Sequence, residues 1–196
     1  MTTAQEDEQP VDLAAEVLRA DDGSGPAPMI IAHGLLGAGR NWSTLGRRVA
    51  EDRAVALLDL RNHGASPWRD EMTYLDQGAD VARAAHRVFG RPAILLGHSM
   101  GGKAAMAAAL AEPELAAALI IADMAPTPYQ HSEHVRFVEA MRGADLSRAA
   151  KRSDVEPQLK HAAPDLSLRA FLMQNLSFEP DETGEKRARW RPNLAA

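Results

Sequence analysis

The chain contains no cysteine. That single absence excludes disulfides, thiolate metal sites and a cysteine nucleophile. Long apolar runs are also missing. The longest, Leu115 to Ala122, falls far short of the roughly 20 residues a membrane-spanning helix needs. The stretch Met1 to Pro10 is acidic and polar, so it reads as a frayed tail and not as a signal peptide or an Arg-rich transit peptide. On these grounds the expected location is cytoplasmic. Positive charge is in deficit: 22 Lys and Arg against 27 Asp and Glu give a net charge of −5. That argues against nucleic acid or an anionic membrane surface as a partner. No internal repeat is present, and no low-complexity segment beyond the tail.

What is present is 196 residues, 45% apolar and 25% charged, enough for a domain with a sizeable core. Short apolar runs alternate with helical patterns. Met29 to Ala32, Ala54 to Leu58, Ala93 to Leu96 and Ala118 to Ala122 each read as a strand buried on both faces, the mark of a parallel sheet. An earlier strand is expected within Leu13 to Arg19, before the turn at Asp21 to Pro26. Trp42 to Glu51 has apolar residues at Trp42, Leu45 and Val49, a helical spacing, and Tyr74 to Phe89 and Lys103 to Ala111 are further helices. Strand and helix in alternation predict an α/β fold with a mostly parallel sheet and helices on both faces.

After Pro126 the character changes. Glu133 to Asn175 reads as consecutive helices broken by Gly143, Ser153 and Pro164, with Leu166, Leu168, Phe171, Leu172 and Leu176 forming an apolar face. The reading divides the chain into a core over 1–127, a helical cap over 128–190 and the start of a return to the core over 191–196. Ser177 to Ala196 reads as a connection. Phe137, Phe171, Leu172 and Met173 are expected either to contact substrate or to pack between cap helices.

The string Gly97-His98-Ser99-Met100-Gly101 falls between a predicted strand and a predicted helix. A serine on so sharp a turn is lifted above the sheet, and Gly97 and Gly101 leave room for neighbouring backbone. The helix that follows offers free N–H groups and its positive end to a developing oxyanion. The bland alternative is a glycine-rich turn with an incidental serine. The flanking strand and helix favour Ser99 as a nucleophile. In such a site one oxyanion donor is the N–H after the nucleophile, here Met100. The other comes from the loop His33-Gly34-Leu35-Leu36-Gly37, where Leu35 is the candidate. His33 reads as a brace for that loop, and His98 as structural or pocket-lining. Asp123, at the end of the strand Ala118 to Ala122, is the candidate for a triad acid, against the alternative of a strand-stopping turn residue.

The chain resembles the α/β-hydrolases, in particular small bacterial carboxylesterases related to mitochondrial α/β-hydrolase-domain proteins. The likeness rests on His33 to Gly37, Asp59-Leu60-Arg61-Asn62-His63-Gly64-Ala65-Ser66-Pro67, Gly97 to Lys103 and Asp123-Met124-Ala125-Pro126. Phe171 to Leu176 and Trp190 to Leu194 add to it. The resemblance implies hydrolysis of carboxylic esters or thioesters of small-molecule size on Ser99, with Asp123 as the acid. No cofactor is expected, and no histidine spacing suggests a metal site, since His131 and His134 at i and i+3 read as a solvated pair. Asp59 to Pro67 is expected only to shape the sheet edge.

One element of the pattern has no match. In this fold the order is nucleophile, acid, histidine, and the histidine of relatives follows later strands. The chain stops at Ala196, so the C-terminal part of the core, with the general base, is expected to be missing. Of the histidines present, His63 belongs to the 59–67 loop, His86 to a solvated helix face, and His131, His134 and His161 to the cap. In one well-studied serine protease, loss of the histidine costs roughly 10⁶ in kcat. Two other readings follow: a non-catalytic binding protein that keeps the pocket but lacks the base, and acyl transfer or perhydrolysis at the same site.

Overall fold

The structure is a computed structural model and describes residues 9–129 and 132–196. Most of the acidic tail and His131, both named above, lie outside the described residues. The chain divides into two compact units, one up to Thr127 and one from Pro128 to Ala195.

The first unit is built on five strands, β1 (Ala15–Arg19), β2 (Met29–Ala32), β3 (Val55–Leu58), β4 (Ala93–His98) and β5 (Ala116–Ala122), in the order β1-β3-β2-β4-β5. β1 is antiparallel to β3, and the other pairs are parallel. Three helices accompany them: α1 (Ser43–Val49), α2 (Tyr74–Val88) and α3 (Met100–Ala111). The alternation of side chains along the strands separates two faces. Ile30, Ala32, Leu58 and Leu95 pack with Val81, Ala85, Ala104 and Ala108 of α2 and α3. Met29, Ile31, Val55, Leu57 and Leu96 face the other way, where Trp42 and Val49 cover them. The helices form for local reasons. Thr73 and Asp76 make a reciprocal capping box at the start of α2, and α3 is rich in alanine, the strongest helix former.

β2 and β3 are fully buried, as their unbroken apolar runs require, and β4 is buried except at Ile94 and His98. β5 is a strand where one was expected, but it is not buried on both faces: Leu119 is 41% and Ile120 42% exposed. Among the described residues its one strand neighbour is β4. Leu45 of α1 is likewise exposed, so the apolar face of that helix is narrower than its sequence spacing implies.

The second unit holds α4 (Ser132–Gly143), α5 (Arg152–Val155), α6 (Leu166–Met173) and a hairpin of β6 (Leu176–Pro180) and β7 (Lys186–Trp190). The hairpin corrects the reading of 177–190 as a connection. Asp181 builds its turn: the Asp181 carboxylate accepts from the amides of Thr183 and Glu185, and Gly184 takes φ 83°. Ser153 lies inside a helix and is not a break, and Leu166 is exposed. Phe137, Met141, Leu159, Leu172, Met173 and Trp190 are buried, and the Trp190 indole N–H donates to the Met141 carbonyl at 2.8 Å.

Candidate active site

The parallel register brings Ala32, Leu58, His98 and Ala122 to one edge of the sheet, where their strands end. In open parallel sheets ligand sites form beyond that edge. The loops that leave it are 33–37, 59–67, the Ser99 turn and the chain from Asp123.

Ser99 stands between β4 and α3 with φ 50° and ψ −116°. A non-glycine residue rarely adopts such a backbone, which costs on the order of 1–3 kcal/mol. The turn closes because its glycines let backbone meet backbone. A Cβ built on Gly97 would lie 2.2 Å from the Gly101 carbonyl oxygen, and one on Gly101 would lie 2.4 Å from that of His33. Gly101 therefore seats the first turn of α3 against the end of β2. Met100, the residue after the serine, opens the helix, and its N–H is among the first four, which have no partner within the helix.

The 33–37 loop comes up beside this turn. A Cβ on Gly34 would lie 3.3 Å from the Ser99 Cβ, so Leu35, Met100 and Ser99 are brought into one neighbourhood. Leu35 is partly buried against the core, and Leu36 takes φ 57°. On the other side, the Ser99 N–H donates to the Ala122 carbonyl at 3.0 Å. A Cβ built on Gly102 would lie 3.3 Å from Ile121 Cγ2 and 3.4 Å from Met124 Cβ. Asp123, with φ 54°, is thereby held next to the serine turn.

The histidines of this unit have other partners. Both ring nitrogens of His33 and both of His63 engage backbone groups. His33 braces its loop through Gly34 and also reaches Leu60. Burial, with His63 close by, pushes the His33 pKa down to about 3, and burial lowers that of His63. His98 lies against Gly34, its ring centroid 5.7 Å from that of Trp42. The His86 ring, on the exposed face of α2, meets the Glu112 carboxylate at 2.7 Å.

The 59–67 loop is more tightly fixed than its sequence suggests. Arg61 is fully buried and donates to both carboxylate oxygens of Asp80, at 2.5 and 2.8 Å. Asp59 accepts from the amides of Gly39 and Ala65. The roles of Arg61 and Asp80 carry no sequence signal, since the two residues are 19 apart and on different elements.

A strained serine on a strand-to-helix turn at the carboxyl edge of this sheet is the arrangement of one fold, and a family model described as the alpha/beta hydrolase fold matches residues 27–180. The chain belongs to the α/β-hydrolase fold family. Within it, the chain is 37% identical over 193 residues to the sn-1-specific diacylglycerol lipase ABHD11 of Xenopus laevis, covering 94% of this chain and 59% of that protein. It is 35% identical over 150 residues to a Saccharomyces cerevisiae protein described as "Probable alcohol acetyltransferase", covering 70% of this chain and 44% of the other. The solved structure of a marine microorganism esterase superposes with a TM-score of 0.84 at 32% identity, over 94% of this chain and 70% of that one. The chain thus spans 59% and 44% of the length of these two curated relatives. No helix among the described residues is long and apolar enough to cross a membrane.

Proposed function

We propose that this α/β-hydrolase cleaves carboxylic esters, thioesters included, through an acyl-enzyme on Ser99. The observation that carries the reading is the backbone of Ser99 itself, φ 50° and ψ −116° on the turn between β4 and α3. A position that any glycine would occupy more cheaply holds a hydroxyl instead, and strain of this kind persists where function requires it.

In this reading Ser99 Oγ attacks the ester carbonyl carbon, and the carbonyl π electrons move onto oxygen. The N–H groups of Leu35 and Met100 receive that oxyanion. The tetrahedral intermediate collapses with expulsion of the alcohol or thiol, which takes up the proton Ser99 gave to the base. Water then repeats the sequence on the acyl-enzyme and frees the acid. Asp123 orients the imidazole and stabilises its charged form without itself attacking. In the family's chain order the histidine follows the acid and later strands, and the reading places the base in the part of the relatives' length that these 196 residues do not span.

The test is turnover of a p-nitrophenyl ester by the full gene product and by its Ser99→Ala and Asp123→Asn variants. Ser99→Ala loses turnover while keeping the fold, and Asp123→Asn loses it less completely. Unchanged turnover in Ser99→Ala overturns the reading. The yeast relative supports a second one, transfer of the acyl group from Ser99 to an alcohol instead of water. Product analysis with a competing alcohol separates the two.

A further inference from the structure

Two buried histidines are not used by this chemistry. His33 opens the loop after β2, and His63 lies in the loop after β3. The Leu60 N–H donates to His33 Nε2 at 3.0 Å, and the Leu36 N–H donates to His63 Nε2 at 3.1 Å. Each ring thus accepts an amide from the loop that carries the other. The remaining nitrogens turn back on their own loops: His33 Nδ1 meets the Gly34 carbonyl at 2.7 Å, and His63 Nδ1 the Arg61 carbonyl at 2.9 Å. An amide only donates and a carbonyl only accepts, so both rings carry their proton on Nδ1 and leave Nε2 bare. The rings stand edge to face with centroids 5.1 Å apart.

The consequence lies in the peptide planes on either side of Leu35. The Leu35 N–H shares a plane with the Gly34 carbonyl and points the opposite way across a trans bond. His33 Nδ1 and the Gly37 amide both donate to that carbonyl, the latter at 2.9 Å. The next plane carries the Leu36 N–H, which His63 holds. We propose that His33 and His63 form a reciprocal clamp that sets the direction of the Leu35 N–H, and are positioning residues for the oxyanion site. This rests on the reading of Leu35 as an oxyanion donor.

Two further facts support the clamp. Leu36 is kept at φ 57°, which a leucine adopts only when its surroundings fix it. Burial keeps both rings neutral, the form the bonds require. The titratable groups facing them are each other, His98 for His33, and Asp59 for His63, where Asp59 and the Arg61 carbonyl partly oppose the effect of burial.

The experiment is NMR on the wild-type protein and on His63→Leu, His63→Gln and His33→Leu. Long-range ¹H–¹⁵N spectra at pH 7 report the tautomers, and residual dipolar couplings report the direction of the Leu35 N–H. The clamp predicts the Nδ1–H tautomer for both rings. It predicts a changed Leu35 coupling in both leucine variants with couplings in β2 to β5 unchanged. Exchange of the Leu36 amide becomes about tenfold faster or more in His63→Leu, the scale of one lost hydrogen bond. His63→Gln restores the coupling and the protection, because its Oε1 can stand where Nε2 stood. An Nε2–H tautomer in either wild-type ring overturns the clamp even if no variant folds, and so does an unchanged Leu35 coupling in the leucine variants. None of these readouts involves turnover. A clamp found intact in a protein without esterase activity would count against the proposed function and not against the clamp.

Discussion

Ser99 and Asp123 sit in step at the ends of two neighbouring parallel strands, and both have left-handed backbone, φ 50° and 54°. His98 and Ala122, the residues before them, are register partners, and the Ser99 amide donates to the Ala122 carbonyl. The sheet thus delivers a hydroxyl and a carboxylate to adjacent positions through strained turns.

That strain is measurable. Ser99→Gly relieves about 1–3 kcal/mol of backbone cost and gives back about 0.5–1 kcal/mol in chain entropy. The variant is expected to be more stable by about 1 kcal/mol and to lose ester hydrolysis, a trade seen where strain serves activity. Denaturant midpoints check this, and a lower midpoint than wild type would contradict it.

Gly101→Ala and Gly97→Ala should act the other way. Each new Cβ meets backbone within 2.4 Å, and backbone in a sheet and helix cannot step aside as a flexible side chain can. Overpacking at such a site costs about 3 kcal/mol or more. Gly143→Ala is the control. Nothing lies within 4 Å of its Cβ, so its stability should stay within about 0.5 kcal/mol of wild type.

The buried Arg61–Asp80 pair gives a third expectation. Both side chains are fully inaccessible, and Asp80 also accepts the Val11 amide at 2.7 Å. Asp80→Ala takes away the bidentate partner of the buried Arg61 and leaves it the Asp76 carboxylate at 3.7 Å and the Glu71 and Asp76 carbonyls, at a cost of about 3 kcal/mol. Removing the exposed ion pair that Arg83 of the same helix makes with Asp12 should change stability little. Equal losses in the two variants, read from urea unfolding, would contradict this account of the 59–67 loop.

Stability should also fall on mild acidification. His33 has a folded pKa of about 3 against an ordinary 6.5, so between those values the unfolded chain binds the extra proton. The stabilising contribution is therefore complete above about pH 6.5. It declines by up to about 1.4 kcal/mol per pH unit as pH falls toward 3. His63, also lowered, acts in the same direction. The urea midpoint at pH 5 should lie below that at pH 7.5, and the difference should shrink in His33→Gln. Equal midpoints at the two pH values would rule out buried neutral histidines.

Much of this could be read from the chain because the signals were contiguous. Met29 to Ala32 matches its strand residue for residue, since a run buried on both faces has no polar position to blur it. The serine turn is a five-residue motif. The β6–β7 hairpin escaped notice because Lys186 to Arg189 has little apolar content and stays exposed. Its one signal was the turn chemistry of Asp181 and Gly184. β5 reads as a central strand because Leu119 to Ile121 is as apolar as one, yet among the described residues it pairs with β4 alone and Leu119 and Ile120 are exposed. The histidine clamp joins residues 27 apart in both directions, and pairing at that range emerges only from the fold.

The central claim is that Ser99 is the nucleophile. The most direct measurement is to react the full gene product with a fluorophosphonate probe and locate the phosphonyl group by tandem mass spectrometry. The account predicts one adduct, on Ser99, formed in step with loss of ester turnover and absent from Ser99→Ala. An adduct on another residue that accompanies the loss of turnover, or undiminished turnover in Ser99→Ala, would contradict it.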